Sequence, residues 1–268
     1  MQPISVPRTT RWRVGSLLSA ETHKSALARD GYTQRIVHLM PARESIKYAR
    51  RFGIKCDHWH NLCHGSTRGC RAVCLTDSGR LGLSVSQRAA FVRSYLWQSH
   101  RDLFLERLDA EITAFERNCT DQPVIRLYGT HDGDILTDAP DVVSAHPDVI
   151  FSDYTKLPIA TGWVADNVYR CKSATERTLP YEFADLASRG LNHAVPFDIP
   201  RGQPLPRVYH SIPVVDGDID DLRFLDPAGV IVGLRFKVPS MLAKRGRDHH
   251  GFIRPVPVTI NPDLVSLS

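Results

Sequence analysis

Apolar and polar positions alternate along the chain in a way that separates one long helical stretch from a series of short strands. Between residues 84 and 118, Ala89, Phe91, Val92, Leu96, Leu103, Phe104, Leu108, Ile112 and Phe115 recur at helical spacing among charged and polar residues. That spacing predicts an amphipathic helix, and its length predicts a break near residues 98–100. Short runs rich in β-branched residues predict strands at IVHLMP (36–41), VIRLYG (124–129), VIFSDY (149–154), NVYRCK (167–172), HAVPF (193–197), SIPVV (211–215) and VIVGLRF (230–236). Several of these are continuous apolar runs, the pattern of strands buried on both faces of a parallel sheet. YEFADLASRG (181–190) suits a helix, whereas DAPDVVSAHPD (138–148) and RGQPLPRVYH (201–210) hold too much proline for long ones. VDGD (215–218) reads as a turn, and DPAG (226–229) as a tight hairpin connection between strands LRFL (222–225) and VIVGLRF.

This alternation predicts an α/β fold, a partial or distorted (βα) barrel with a cysteine-rich loop after its first strand. The domain boundaries drawn from it are a basic extension over residues 1–34, a single metal-binding domain over 35–254 and a tail over 255–268.

The proposed strands end in polar clusters. RLYGTHDGD (126–134) brings Arg126, Gly129, Thr130, His131, Asp132 and Asp134 to one strand end, and FSDYTK (151–156) brings Asp153, Tyr154 and Lys156 to the next. RCKSATE (170–176) adds Arg170, Lys172, Ser173 and Glu176. In parallel α/β sheets the carboxyl ends of the strands form the site face, although Asp, Thr and Gly are also ordinary turn residues. Asp216, Asp218, Asp220 and Asp221 resemble a divalent-cation loop without the terminal glutamate such a loop needs. Asp216 and Asp218 are retained as candidates for contacting a ribose or amino group of a ligand. The adjacent histidines of RGRDHHG (245–251) are expected to be exposed.

Cys63, Cys70 and Cys74 form a C-x6-C-x3-C loop, with Cys56, His58, His60 and His64 nearby. Three readings compete. Zinc needs four ligands, so the fourth would come from Cys56 or a histidine. An iron–sulfur cluster held by three thiolates leaves one iron open and needs no fourth protein ligand. Disulfides need an oxidising compartment, and no apolar leader precedes the loop. Cys119 and Cys171, isolated in a helix end and a strand, read as small buried hydrophobes.

Composition narrows the picture only modestly. Of 268 residues, 42% are apolar and 24% charged, which is ordinary for a globular chain. The absence of a membrane-length apolar run predicts a soluble, cytoplasmic protein without a membrane partner. The net charge of +5 is concentrated at the amino-terminal end, where Arg8, Arg11, Arg13, Lys24 and Arg29 precede Arg35, Arg43, Lys47, Arg50, Arg51 and Lys55. Such a region can bind nucleic acid through phosphates, or serve only as a solvated surface.

Taken in order, LMPA (39–42), NLCHGSTRGCRAVCLTDSGR (61–80), RLYGTHD, VIFSDYTK, RCKSATE and VVDGDIDDLRFLDPAGVIVGLRFK (214–237) resemble the gene product 88 family of phage and mobile-element proteins. Where that family carries a proline after the first cysteine, this chain has His64. A more distant likeness in layout is to radical S-adenosylmethionine enzymes. That likeness implies a 4Fe-4S cluster on Cys63, Cys70 and Cys74, with Gly129, Thr130 and Asp132 near the cofactor's methionine moiety and Glu176 near its ribose. Lys156, Asp134 and Asp153 would then line the pocket of an unidentified substrate. The alternatives are a zinc enzyme acting on a nucleotide or DNA base, with Asp132, Asp134 or Asp153 as base or nucleophile, and a nucleic-acid-binding accessory protein without catalysis.

Overall fold

Strand β1 spans Tyr32–Ile36, ahead of the apolar run that predicted it. Val37, Leu39 and Met40 are buried, yet past Ile36 the backbone leaves the regular ladder: Val37 N–H donates to Arg126 O, and Val37 O accepts from Gly129 N–H. The run is therefore largely buried, irregular backbone that follows β1, and its apolar character comes from core contact rather than from pleating. The computed structural model describes residues 15–19, 31–77, 79–236 and 250–256.

The remaining strands are β2 (Gln122–Arg126), β3 (Ile150–Thr155), β4 (Gly162–Ala165), β5 (Val168–Ser173), β6 (His193–Phe197), β7 (Val208–Tyr209), β8 (Ile212–Asp216) and β9 (Ile231–Arg235). They join one nine-stranded sheet in the order β1-β2-β3-β5-β6-β9-β8-β7, with β4 paired to β5. From β1 to β8 every pairing along that path is parallel. Only the hairpins β4–β5 and β7–β8 are antiparallel. Among the described residues no strand joins β1 to β7, so the sheet is mixed, mostly parallel and not closed into a barrel.

Helices α1 (Ala42–Arg51), α2 (Arg68–Ala72), α3 (Ser84–Ser99), α4 (Arg101–Asn118), α5 (Ile135–Asp138), α6 (Pro140–Ala145) and α7 (Pro180–Ser188) fill the connections. The long helical pattern is broken at His100, whose φ of −145° and ψ of 59° lie outside helical values. On α4, Phe104, Leu108 and Ile112 stand four residues apart and are fully buried, each worth about 2 kcal/mol of removed apolar surface. They share a core with Ile125, Phe151 and Val168 of neighbouring strands. The opposite face of the sheet carries Tyr169, Cys171, Ala194 and Val232, covered by Phe224.

Two expectations need correction. LRFL is not a strand: Arg223–Leu225 is a single 3-10 turn, and β8 runs parallel to β9, so DPAG joins no hairpin. The apparent alternation arises because Leu222 is buried in the core while Arg223, 1% exposed, bonds Asp220 and pairs with Asp226. The boundary at residue 35 falls inside β1, and Leu17 and Leu18 are already part of the core. Leu18 bridges Val37, and the Glu111 carboxylate accepts from the N–H groups of Leu17 and Leu18. Cys171 is fully buried as expected, and Cys119 is half-buried at the end of α4. No described helix is long and apolar enough to cross a membrane.

Candidate functional site

The cysteine loop crosses the carboxyl ends of β2, β3 and β5. Cys56 lies at its start but is buried in the apolar core beside Trp59 and Leu62. Asn61 frames the first candidate ligand, its Oδ1 accepting from Cys63 N–H and its Nδ2 donating to Cys63 O. Cys63 then runs beside Asp132 in an isolated bridge, and its thiol lies 3.7 Å from Thr130 O. Thr67 caps the single turn of α2 by accepting from Cys70 N–H. Cys74 follows that turn, with Sγ 3.1 Å from Thr76 Oγ1.

Cys70 and Cys74 lie within electrostatic reach of Cys63. Burial pushes the Cys63 thiol up to about 12, and the neighbouring Cys74 and Cys70 add to the effect while Lys156 opposes it. Burial and like-charged neighbours both disfavour a thiolate. Yet among the described residues no group of three or more His, Cys, Asp or Glu side chains converges to hold one metal ion. His58, His60 and His64 are exposed, the last two with their rings parallel at 5.7 Å.

Two carboxylates hold the loop. Asp132 Oδ1 accepts from Thr155 Oγ1 at 2.9 Å and Oδ2 from Lys156 N–H at 2.8 Å, while its own N–H donates to Leu62 O. Glu176 accepts from Thr67 Oγ1 at 2.5 Å and from Gly69 N–H at 2.9 Å. Burial would raise the pKa of Glu176, but these hydrogen bonds outweigh it and hold the group below its ordinary value.

The other candidates are dispersed. Asp134 caps α5 through Leu136 N–H and is paired with Arg170. Asp153 accepts from the N–H groups of Leu127 and Tyr128 and stands 3.9 Å from Arg126. Burial, which outweighs Arg126 and those bonds, lifts Asp153 to about 7. The Lys156 ammonium has no described hydrogen-bond partner and lies near Cys63. Gly129 is packed against β1, where an added Cβ would fall 2.5 Å from Ile36 Cγ2 and 2.8 Å from Val37 O. Thr130 Oγ1 donates to Leu39 O, and Ser173 sits half-buried at the end of β5. Asp216 and Asp218 both bond Arg235, on β8 and its exit. That strand lies three positions from β5, roughly 15 Å along the sheet. Asp220 and Asp221 belong to the buried arginine clusters: Asp220 bonds Arg223 and Asp221 lies 3.6 Å from Arg126.

Sequence reasoning passed over His38 as part of a strand and His131 as one of several polar residues. His38 and Thr130 line a cavity of about 10 Å³ together with Thr76 and Gln87. His131 is buried against Tyr128 and Trp97, and neither ring nitrogen has a described partner. Burial lowers His131 to about 3 and His38 to about 4. An imidazole inside an apolar strand end gives no pattern that separates it from its neighbours. Arg8, Arg11, Arg13, Lys24, Arg29 and residues 245–249 lie outside the described residues.

A family model described as gene product 88 matches residues 16–254. No curated protein and no solved structure matches the chain.

Proposed function

The chain belongs to the gene product 88 family, and we propose that Cys63, Cys70 and Cys74 ligate an iron–sulfur cluster for radical S-adenosylmethionine-like chemistry on an unidentified substrate. The observation that carries this reading is that Cys70 and Cys74 lie near enough to Cys63 to add to the rise in its pKa, all three in one loop at the carboxyl ends of the strands. Zinc gathers four ligands on a single centre. A cluster gives each thiolate its own iron, so its ligands stand farther apart and three suffice. The strand order adds support, because β1-β2-β3-β5-β6-β9 follows the chain as in a partial (βα) barrel, with the loop at the carboxyl ends where such folds build sites.

When bound, such a cluster with S-adenosylmethionine supplies one-electron chemistry that protein side chains lack. The chain's own residues prepare the place. Asp132 fixes the Cys63 strand against β3, and Glu176 fixes the turn bearing Cys70. Lys156 places a positive charge beside Cys63, which favours its thiolate. Asp134 and Asp153 are already committed to Arg170 and to backbone N–H groups, so Lys156 is the one of the three expected pocket residues with a charge left to meet a substrate.

Anaerobic purification and reconstitution test the proposal. The expected product is brown, holds roughly four irons per chain, and loses them on Cys63→Ala, Cys70→Ala or Cys74→Ala. A colourless protein carrying one zinc would overturn it and move attention to Asp132, Asp134 and Asp153 as general bases.

A further inference from the structure

We propose that Asp132 and Glu176 are positioning residues that set the separation of Cys63 and Cys70 before any metal binds, by stapling the two parts of the cysteine loop to different strands. This rests on the cluster reading for its purpose, but not for its geometry. A five-residue helix such as α2 cannot hold itself together in water, and the loop needs long-range anchors to keep three thiols in place.

The Cys63 anchor is buried. Asp132 is 6% exposed, and both its oxygens are occupied by groups at the end of β3, the Thr155 hydroxyl and the Lys156 N–H. Its backbone pairs with the Leu62–Cys63 segment. Gly65 closes the contact, since a Cβ there would fall 2.5 Å from Asp132 Oδ2 and 2.9 Å from Lys156 Cβ. Loop backbone and carboxylate are therefore in direct contact.

The Cys70 anchor is a relay. A carboxylate only accepts, so the Thr67 hydroxyl must point its hydrogen at Glu176 Oε2, which leaves a lone pair for Cys70 N–H at 3.3 Å. Glu176 Oε1 takes the Gly69 N–H of the same turn. Glu176 thereby orients the cap that holds Cys70, although it does not touch the cysteine itself.

The test uses reduced, metal-free full-length protein and measures the alkylation rate of each cysteine with iodoacetamide by peptide mass spectrometry. Glu176→Gln removes one acceptor and the charge, and Cys70 should label roughly tenfold faster with Cys63 nearly unchanged. Thr67→Val breaks the same relay, so it should give the same increase, and the double variant should add little. Thr155→Val removes a bond of the Asp132 anchor without changing charge; it should accelerate Cys63 with Cys70 nearly unchanged, and unchanged Cys63 labelling overturns the Asp132 staple. The buried Cys56 and Cys171 report global opening. Unchanged Cys70 labelling in Glu176→Gln overturns the proposal. If Glu176→Gln exposes Cys171 as well, Thr67→Val decides: a selective Cys70 increase supports the staple, and no such increase overturns it. Iron content of the reconstituted wild type is read separately. Iron bound with unchanged labelling leaves the cluster and removes the staples, while selective labelling without iron does the reverse.

Discussion

Gly129 and His131 stand two residues apart in the same strand-end cluster, and the fold gives them different work. Gly129 donates to Val37 O and presses its Cα against β1, where backbone cannot give way. Gly129→Ala is expected to cost about 3 kcal/mol, read as a lowered urea midpoint. His131 is enclosed by aromatic rings with both nitrogens unpartnered. Its folded pKa of about 3 lies below the ordinary 6.5, so between those values the unfolded chain takes a proton that the folded chain refuses. Stability from this group is present above pH 6.5 and is lost as pH falls, by about 2 kcal/mol at pH 5. His131→Phe should keep the ring packing and flatten the fall in urea midpoint between pH 7 and 5; an unchanged slope would show that His131 does not supply it. Asp132 and Glu176 were legible as polar residues at strand ends. Their partners were not, because Thr67 lies 109 residues from Glu176 along the chain, and only the parallel sheet brings the two together.

At the scale of elements, helical periodicity located α3 and α4 and the break between them, because a single amphipathic face is a local property of the chain. Apolar runs located the strands but misjudged β1 and LRFL, since burial without pleating produces the same composition. The segment 15–19 was invisible to periodicity, and its docking rests on long-range bonds: Arg93 donates to Ser16 O, Arg107 donates to Gly15 O, and Glu111 takes its N–H groups. Glu111 accepts from Leu17 N–H, Leu18 N–H and the Ser16 hydroxyl, with Arg107 one turn away. Glu111→Ala leaves both N–H groups without that acceptor. Amide exchange at Leu17 and Leu18 should then accelerate roughly tenfold or more, with the central strands β3 and β5 unchanged. Unaltered exchange at both amides would show that core packing alone holds the segment.

For the whole molecule, the continuous apolar strands and the spacing of apolar positions by themselves determined an α/β fold with a mostly parallel sheet, because burial on both faces leaves its mark on every residue of a strand. The sequence also singled out Cys63, Cys70 and Cys74 by their density in one short loop. Tertiary structure decided the rest. It set the sheet open, turned β8 parallel to β9, and sent Cys56 into the core. It committed Asp134 and Asp153 to internal partners and gathered Asp132 and Glu176 around the cysteine loop. The reason is physical: a residue's type shows what bonds it can make, but the partner that takes them is set by which distant strand ends the fold places within about 3 Å.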